Sequence, residues 1–457
     1  MITDWIEAGL AAATSDECIV IVRDAGEANL RWAINSLTTN GQMHHRSATV
    51  VAIRRTEGVG HAGVLSGPVA EEGDLVALVA HACAAAADAP ASDDSAPLPD
   101  PVVDADYTDE AVGTSIDVFS TFANGLGRAL AASRDAGTEM FGYAEHHVST
   151  VWLATSAGAR RRTVERSGKV ELNAKHADRI GSAWVGQATT DFADVDADAL
   201  AAEVTRRLGW CENRIELPAG RYETILPPSA VADLMILTYW TASGRDAEQG
   251  RTVFAGKEPG TTRVGEILSP LPMTLSSGPG ALPAAPFAIV EGSAPGLTSV
   301  YDNGAPAETL HWMRDGMLAR LPYTRAAAAA SGQEYAFPSD NLTLDVGSSV
   351  TLDEMIRSTT RGLLLTCLWY IREVDISSLL VTGLTRDGVY LIENGEIVGM
   401  VNNFRFNESP IDLLRRAVEA SVAEATLCRE WNDWFTFTTM PALRVPDFNM
   451  STVSQAY

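Results

Sequence analysis

The sequence contains few cysteines, and no two of them have the spacing of a metal or redox pair. There are five among 457 residues: Cys18, Cys83, Cys211, Cys367 and Cys428. An odd and scattered set argues against a disulfide framework and against a cage of thiolate metal ligands. We therefore expect reduced thiols in a cytoplasmic protein.

Long apolar runs and positive charge are also scarce. No apolar run reaches the roughly 18 residues of a membrane span, and the opening MITDWIEAGL lacks the basic region and apolar core of a signal peptide. Lysine and arginine number 34 against 59 acidic residues, which gives a net charge of −25. Because little positive charge is available to neutralise phosphates, we expect no nucleic-acid partner, and we also expect no membrane partner.

The distribution of helix and strand signals predicts an α+β protein. A chain of this length can form roughly two to three domains. Residues 1–218 combine Ala-rich helices with apolar strands and predict an N-terminal α+β domain. Within it, the acidic, proline-rich segment 90–106 predicts an extended surface connector. Residues 219–457 are rich in hairpin signals and predict a mostly antiparallel sheet domain with packed helices.

Local patterns give bounds to elements of the N-terminal half. The spacing of Asp4 and Glu7 is that of a capping box and predicts a helix from Asp4. Further helices are predicted over 73–89, 115–132 and 197–208. Strands are predicted over 18–22, 48–54, 61–69, 140–155 and 162–173, and segment 28–35 fits helix or strand equally. Gly158 and Ser167-Gly168 indicate turns.

Turn dipeptides mark the C-terminal half. Asp315-Gly316, Asp387-Gly388 and Asn394-Gly395 are typical of type I′ hairpin turns, so residues 379–407 predict an antiparallel meander. Three helices are also predicted. Ser229 would cap one over 230–240, Thr351 and Glu354 would cap one that Gly362 ends, and Ser409-Pro410 would begin one that runs to Cys428.

Two short motifs have simpler explanations than a cofactor site. Residues 58–63 fit GxGxxG, but a strand pattern follows where a dinucleotide site needs a helix, so a glycine-rich hairpin is predicted. The eight histidines show no helical i, i+4 pair. His44-His45 and His146-His147 are adjacent in strands, so Glu145-His146-His147 is expected to offer at most one ligand from each face.

Four segments together resemble the TldD/PmbA family, the subunits of a bacterial zinc-dependent peptidase. The most informative is Leu379–Asn407 (LLVTGLTRDGVYLIENGEIVGMVNNFRFN), and the others are Thr351–Leu365, Ser409–Leu414 and Pro441–Met450. The match is strongest over Gly362–Asn407. The resemblance implies a zinc-bearing TldD-type subunit that pairs with a PmbA/TldE-type subunit. It also implies that the assembly encloses a cavity in which extended peptides are trimmed or degraded.

The same resemblance indicates which subunit type this is. TldD-type subunits carry HExxxH, with two zinc histidines and a catalytic glutamate, on the helix that follows the first C-terminal strand. Here Pro228 and Asp233 replace the histidines and Ser229 replaces the glutamate. The family's cysteine ligand near the C-terminus is missing from Thr436–Tyr457, and Cys428 lies upstream. The chain therefore resembles the PmbA/TldE type, with no catalytic residue, metal or cofactor of its own and with zinc in a TldD-type partner.

Two other functions remain open at this stage. One is a stand-alone metallopeptidase with an unrecognised metal site, and the other is a peptide-binding scaffold without peptidase activity. A subunit without catalytic groups must act through an interface, either in a heterodimer or in a homodimer. Trp431 and Trp434, which lie three residues apart in the polar run 429–433, are the residues predicted at that interface.

Overall fold

The structure, a computed structural model, describes residues 1–177, 181–294 and 296–454. The last three residues of the second predicted domain, 455–457, lie outside this range. The architecture is α+β, as predicted, with three sheets and with helices packed on them. In the part of the chain that is described, no helix is both long enough and apolar enough to cross a membrane.

A six-stranded antiparallel sheet forms the N-terminal half, in the order β3-β2-β1-β4-β5-β6. Its strands are β1 (Glu17–Ala33), β2 (Ser36–Thr56), β3 (Val59–Pro68), β4 (Thr138–Thr155), β5 (Arg160–His176) and β6 (Ser182–Thr189). The ambiguous segment 28–35 is thus the end of β1 and a turn. Within residues 58–63, Gly58 lies in the turn between β2 and β3, and residues 59–63 begin β3. The prediction of a turn at Ser167-Gly168 is wrong, because both residues lie inside β5 and pair with β4.

Four helices accompany this sheet: α1 (Ile2–Ala12), α2 (Glu72–Asp88), α3 (Ser120–Asp135) and α4 (Ala197–Gly209). The first begins two residues before Asp4, whose carboxylate instead binds the N-terminal amine at 2.7 Å. The connector 90–106 has no regular helix, and it is fastened to the fold. Asp94 accepts a hydrogen bond from Arg245, and Ala96 is buried.

The two faces of the N-terminal sheet differ in character. Because side chains alternate along a strand, Val20 and Val22 of β1 pack under α1 and α2, while Ile19 and Ile21 pack on the opposite face against Phe287. Further along β1, that second face carries Arg23, Glu27 and Asn29 instead of aliphatic residues. The apolar core therefore gives way to a polar sheet face.

The C-terminal half contains a ten-stranded and a six-stranded sheet. The larger comprises β7 (Arg214–Ile215), β8 (Gly220–Leu226), β13 (Arg361–Leu365), β14 (Leu368–Asp375), β15 (Leu380–Thr385), β16 (Val389–Glu393), β17 (Glu396–Val401), β18 (Phe404–Glu408), β19 (Glu419–Ala420) and β22 (Leu443–Val453). The smaller comprises β9 (Thr274–Ser277), β10 (Leu310–Arg314), β11 (Met317–Leu318), β12 (Asn341–Asp345), β20 (Glu424–Thr426) and β21 (Phe437–Met440). The helices of this half are α5 (Pro228–Trp240), α6 (Gly244–Glu248), α7 (Arg325–Ser331), α8 (Leu352–Ser358) and α9 (Pro410–Arg416).

The predicted backbone conformation of the turn glycines is confirmed, but the prediction of an antiparallel meander over residues 379–407 is wrong. Gly316, Gly388 and Gly395 all have positive φ. The turns at Gly316 and Gly395 join paired strands, β10 with β11 and β16 with β17. The turn at Gly388 does not, because β15 pairs with β14 and β18 while β16 pairs with β13 and β17.

Three predicted helix boundaries are also wrong. Pro227, not Ser229, precedes α5. Helix α8 ends at Ser358 and not at Gly362, which lies in β13. The helix from Pro410 ends at Arg416 instead of continuing to Cys428. Beyond it the chain pairs with β22 through Glu419 and Ala420, so backbone pairing with a distant strand replaces the predicted helix.

One apolar cluster joins the two halves of the chain. It contains Trp32 and Leu130 from the N-terminal half together with Ile225, Leu364 and Tyr390 from the ten-stranded sheet. The shared cluster fixes the polar face of the N-terminal sheet relative to the loops of the C-terminal half.

Candidate functional site

Helix α5 buries the three positions that stand where the zinc motif was expected. Pro228 is the first helical residue, where a missing N–H costs nothing, and residues 228 to 239 are all buried. The hydroxyl of Ser229 donates to the carbonyl of Thr366 at 3.3 Å. This helix is therefore a core element, with little surface on which a substrate could bind.

Asp233 on α5 holds the loop between β20 and β21, residues 427–436, which we call the arginine loop. Its carboxylate accepts the backbone N–H of Glu430 at 2.8 Å and that of Arg429 at 3.3 Å. Its carbonyl accepts the indole N–H of Trp431 at 2.9 Å. Asp233 is fully buried, and this burial raises its pKa well above the usual value for an aspartate.

The side chain of Arg429 lies between two indole rings. Its guanidinium carbon is 5.3 Å from the ring centre of Trp184 and 4.9 Å from that of Trp369. It also donates a hydrogen bond to Glu171 at 3.0 Å and lies 3.9 Å from Asp387. The arginine loop thus brings a fixed positive charge close enough to act on Asp233, which disfavours a metal cation there.

Cys428, which precedes Arg429 in the arginine loop, is a buried thiol. Its sulfur donates to the carbonyl of Phe435 at 3.2 Å. Burial, together with the charge of Asp233, raises its pKa well above that of an ordinary cysteine. Since only the thiolate binds metal well, Cys428 is poorly suited as a ligand.

The polar face of the N-terminal sheet carries a cluster that the sequence reading did not foresee. Glu27 of β1 and Glu145 and His147 of β4 bring one ligand atom each to within 4.8 Å of one another. The expectation of at most one ligand per face was wrong, because Glu145 and His147 are two residues apart in a strand and share a face. His146 points to the other face, where its ring nitrogens bond with Thr114 and Thr190.

Lys169 of β5 links this cluster to the arginine loop. Its ammonium lies 3.2 Å from Glu145 and donates to Asp433 at 2.6 Å and to the Asn432 side chain at 2.7 Å. Burial opposes ionisation of Glu145, but His147 and Lys169 outweigh it and lower the pKa of Glu145 to about 2. Glu145 is therefore ionised at neutral pH.

A cleft of about 470 Å³ opens beside this face. Its floor is the β5 segment 163–167, and Trp434 at the end of the arginine loop forms part of its wall. The other wall residues are mostly apolar and include Phe287, Ile289, Phe337, Pro338 and Phe437. A cleft of this size and lining is suited to a short organic ligand or a few residues of a peptide.

The floor of the cleft is also an open sheet edge. Arg160 and Arg162 donate their N–H groups away from β4, to Val102 and Asp104 of the connector, and pairing with β6 begins only at Gly168. Because alternate residues of a strand face the same edge, the N–H and C=O groups of Val164 and Arg166 face outwards as well. These groups lie between the connector and β6, where an added strand could form backbone hydrogen bonds with them.

A family model described as the PmbA/TldA metallopeptidase C-terminal domain matches residues 219–452, which is just over half of the chain. The chain belongs to the PmbA/TldD family. Its match covers the six-stranded sheet, the ten-stranded sheet apart from β7 and the last residue of β22, helix α5 and the arginine loop.

Solved structures share the fold of the whole PmbA/TldD-family chain. TldE from Thermococcus kodakarensis has a TM-score of 0.76 at 16% identity, over 98% of this chain and 99% of that one. A presumed modulator of a DNA gyrase from Thermotoga maritima has a TM-score of 0.75 at 15% identity, over 98% and 100%. One from Bacteroides thetaiotaomicron has 0.75 at 13% identity, over 99% of both chains. No curated protein sequence matches significantly.

The residues at α5 do not fit the zinc ion that a metallopeptidase family implies. A zinc site needs three or four converging nitrogen, sulfur or oxygen ligands. Here Pro228 offers no ligand atom, Ser229 is bonded to a carbonyl, and Asp233 uses its oxygens for two backbone N–H groups. The neighbouring Cys428 is a protonated thiol beside the cation of Arg429. No chemical step through zinc can therefore be assigned to this helix.

The structure separates the two tryptophans that were predicted together. Trp431 packs edge-on against Trp240 at 5.1 Å and donates to Asp233, so it supports the arginine loop. Trp434 is 69% exposed at the cleft. Sequence reasoning missed Arg429, Glu27 and the open edge of β5, because the role of each depends on contacts with strands or loops that are distant in the chain.

Proposed function

We propose that this chain is the PmbA/TldE-type, non-catalytic subunit of a TldD/TldE-type metallopeptidase. The observation that carries the proposal is the structural role of Asp233. At the position of a zinc histidine, its carboxylate holds two backbone N–H groups of the arginine loop. A residue that is committed to folding in this way is not available for metal binding or proton transfer. Hydrolysis would then take place on a zinc-bearing TldD-type partner.

The proposed substrate is an extended peptide. An open strand edge recognises a peptide through its backbone, so that binding depends little on sequence. Val164 and Arg166 offer such an edge, and the apolar wall of Phe337 and Phe437 can accept alternate side chains. In this proposal the chain confines and orients peptides in a cytoplasmic assembly, either for maturation or for proteolysis.

The decisive experiment is co-expression with a TldD-type paralogue that carries HExxxH. We expect a heterodimer by light scattering and hydrolysis of an unfolded peptide that neither chain gives alone. A paralogue whose HExxxH glutamate is replaced by glutamine serves as the control, and it should assemble without hydrolysing. Hydrolysis by this chain alone, or full activity of the paralogue without association, would overturn the proposal.

The exposed Trp434 is the residue we expect at the subunit interface. Trp434→Ala should weaken the heterodimer, since a large exposed aromatic residue is the type that anchors protein interfaces. Val418→Ala is the matched control, because Val418 is also apolar and 57% exposed but lies beyond α9. Equal dissociation constants for the two variants and the native chain would remove Trp434 from the interface.

A further inference from the structure

Three potential ligands lie together on the polar face of the N-terminal sheet. Glu27 on β1 stands directly opposite His147 on β4 in the strand register, and Glu145 precedes His147 by two residues on the same face. The central strands β1 and β4 are paired on both sides, so their backbones are rigid. The geometry of the cluster is therefore set by the sheet and not by mobile loops.

Neighbouring side chains orient the two carboxylates. The Asn29 amide donates to Glu27 at 2.9 Å. Lys169 lies 3.2 Å from Oε1 of Glu145, whereas Oε2 of the same carboxylate faces Nε2 of His147 at 3.4 Å. Lys169 therefore leaves Oε2 directed towards the imidazole. Outer contacts that hold carboxylates in this way are typical of metal ligands.

Lys169 divides its charge between Glu145 in the cluster and Asp433 outside it. Its ammonium, with a side chain only 3% exposed, donates to Asp433 at 2.6 Å. Once that pair is counted, Glu27 and Glu145 leave two negative charges beside the imidazole of His147. A single divalent cation would balance them.

We propose that Glu27, Glu145 and His147 bind one divalent cation, with Zn²⁺ preferred over Mg²⁺ and Ca²⁺. Imidazole nitrogen favours Zn²⁺, whereas Mg²⁺ and Ca²⁺ prefer all-oxygen shells. The ligand atoms all lie within 4.8 Å of one another, and Glu145 and His147 are already 3.4 Å apart, whereas zinc–ligand distances of about 2 Å imply separations of about 3.5 Å in a tetrahedron. Small side-chain rotations achieve this. The site is distinct from α5, and it goes beyond the proposed function because it places a metal in this chain.

Equilibrium dialysis of the full chain against micromolar Zn²⁺, followed by elemental analysis, tests the proposal. We expect about one Zn²⁺ per native chain and at least tenfold weaker binding in Glu27→Gln and in His147→Asn. These variants change different strands, and thermal melting identifies any that fail to fold. His81→Asn is the matched control, because His81 is exposed on α2, away from the cluster, and should bind as the native chain does.

Competition completes the experiment. A tenfold excess of Mg²⁺ or Ca²⁺ should leave the bound Zn²⁺ in place. The proposal is overturned if the native chain binds no zinc or if the folded Glu27→Gln and His147→Asn variants bind zinc as the native chain does. It is also overturned if a tenfold excess of Ca²⁺ removes the bound zinc from the native chain.

Discussion

The carboxylate of Asp233 accepts the backbone N–H of Glu430 across a distance of 2.8 Å. These residues are 197 positions apart, and this contact ties the central helix of the C-terminal half to the loop that carries Arg429 and Trp434. Asp233, which the sequence places at the position expected for a zinc histidine, is therefore a structural anchor. Its removal should affect the loop before it affects any chemistry.

Asp233→Ala should destabilise the protein by about 2–4 kcal/mol, because two buried N–H groups of the arginine loop lose their acceptor. Urea unfolding measures the loss. Asp135→Ala is the matched control, since Asp135 is exposed at the end of α3 and its replacement should change little. A change at position 233 no larger than that at position 135 would contradict the anchoring role.

Gly395→Val should destabilise by more than the roughly 1 kcal/mol of an ordinary glycine replacement. Gly395 has a φ of +85°, and a Cβ there would lie 2.5 Å from the carbonyl oxygen of Arg357. In contrast, Gly127→Ala in α3, where a Cβ meets nothing within 4 Å, should stabilise by about 0.5–1 kcal/mol. The same sign for both variants in urea unfolding would refute the turn assignment.

Asp302 should make stability fall as pH rises towards neutrality. Burial raises the pKa of Asp302 to about 7, although Arg325 opposes the shift. A folded-state pKa above the unfolded one means a stabilising contribution that is complete below about pH 4 and is lost as the pH rises through about 7. The Asn side chain in Asp302→Asn does not titrate. The free energy of unfolding of this variant, relative to that of the native chain, should therefore rise by roughly 2–4 kcal/mol between pH 4 and pH 8.

The control for this effect is Asp135→Asn at the exposed end of α3. Its stability should follow that of the native chain at each pH. Parallel curves for Asp302→Asn and the native chain, measured by urea unfolding from pH 4 to pH 8, would show that Asp302 does not carry the dependence.

Val164→Pro should weaken peptide binding at least tenfold, because proline removes an outward N–H from the open edge of β5. The ladder with β4 should survive, since that N–H faces away from it. Fluorescence anisotropy with a labelled unfolded peptide and the assembled heterodimer measures the effect. Val164→Ala keeps the N–H and should bind almost normally, and equal losses in both variants would point to the side chain instead.

The sequence predicted local structure well where local chemistry decides it. The strand at Cys18–Val22, helix α2 and the positive φ of Gly316, Gly388 and Gly395 follow from residue type. The pairing of strands that are distant in sequence was harder to predict from the residues. The spacing of Leu414, Val418 and Val422 favours a helix, yet Glu419 and Ala420 pair with β22 because that strand offers backbone partners.

The site shows the same division. The prediction that Pro228, Ser229 and Asp233 occupy the positions of a zinc motif came directly from the residues, and it stays a prediction. The contacts of Asp233 could not be predicted in this way, because their partners follow almost 200 residues later. The cluster of Glu27 with His147 depends on the register of β1 against β4, which no short motif encodes.

Strand β22 has a consequence for synthesis of the chain. It lies inside the ten-stranded sheet, between β18 and β8, although it consists of residues Leu443–Val453. Until those residues leave the ribosome, β8 and β18 both present an unpaired edge to other nascent chains. The C-terminal half can therefore complete its fold only after residue 453 has been synthesised, and a chain truncated before residue 443 would be prone to aggregate.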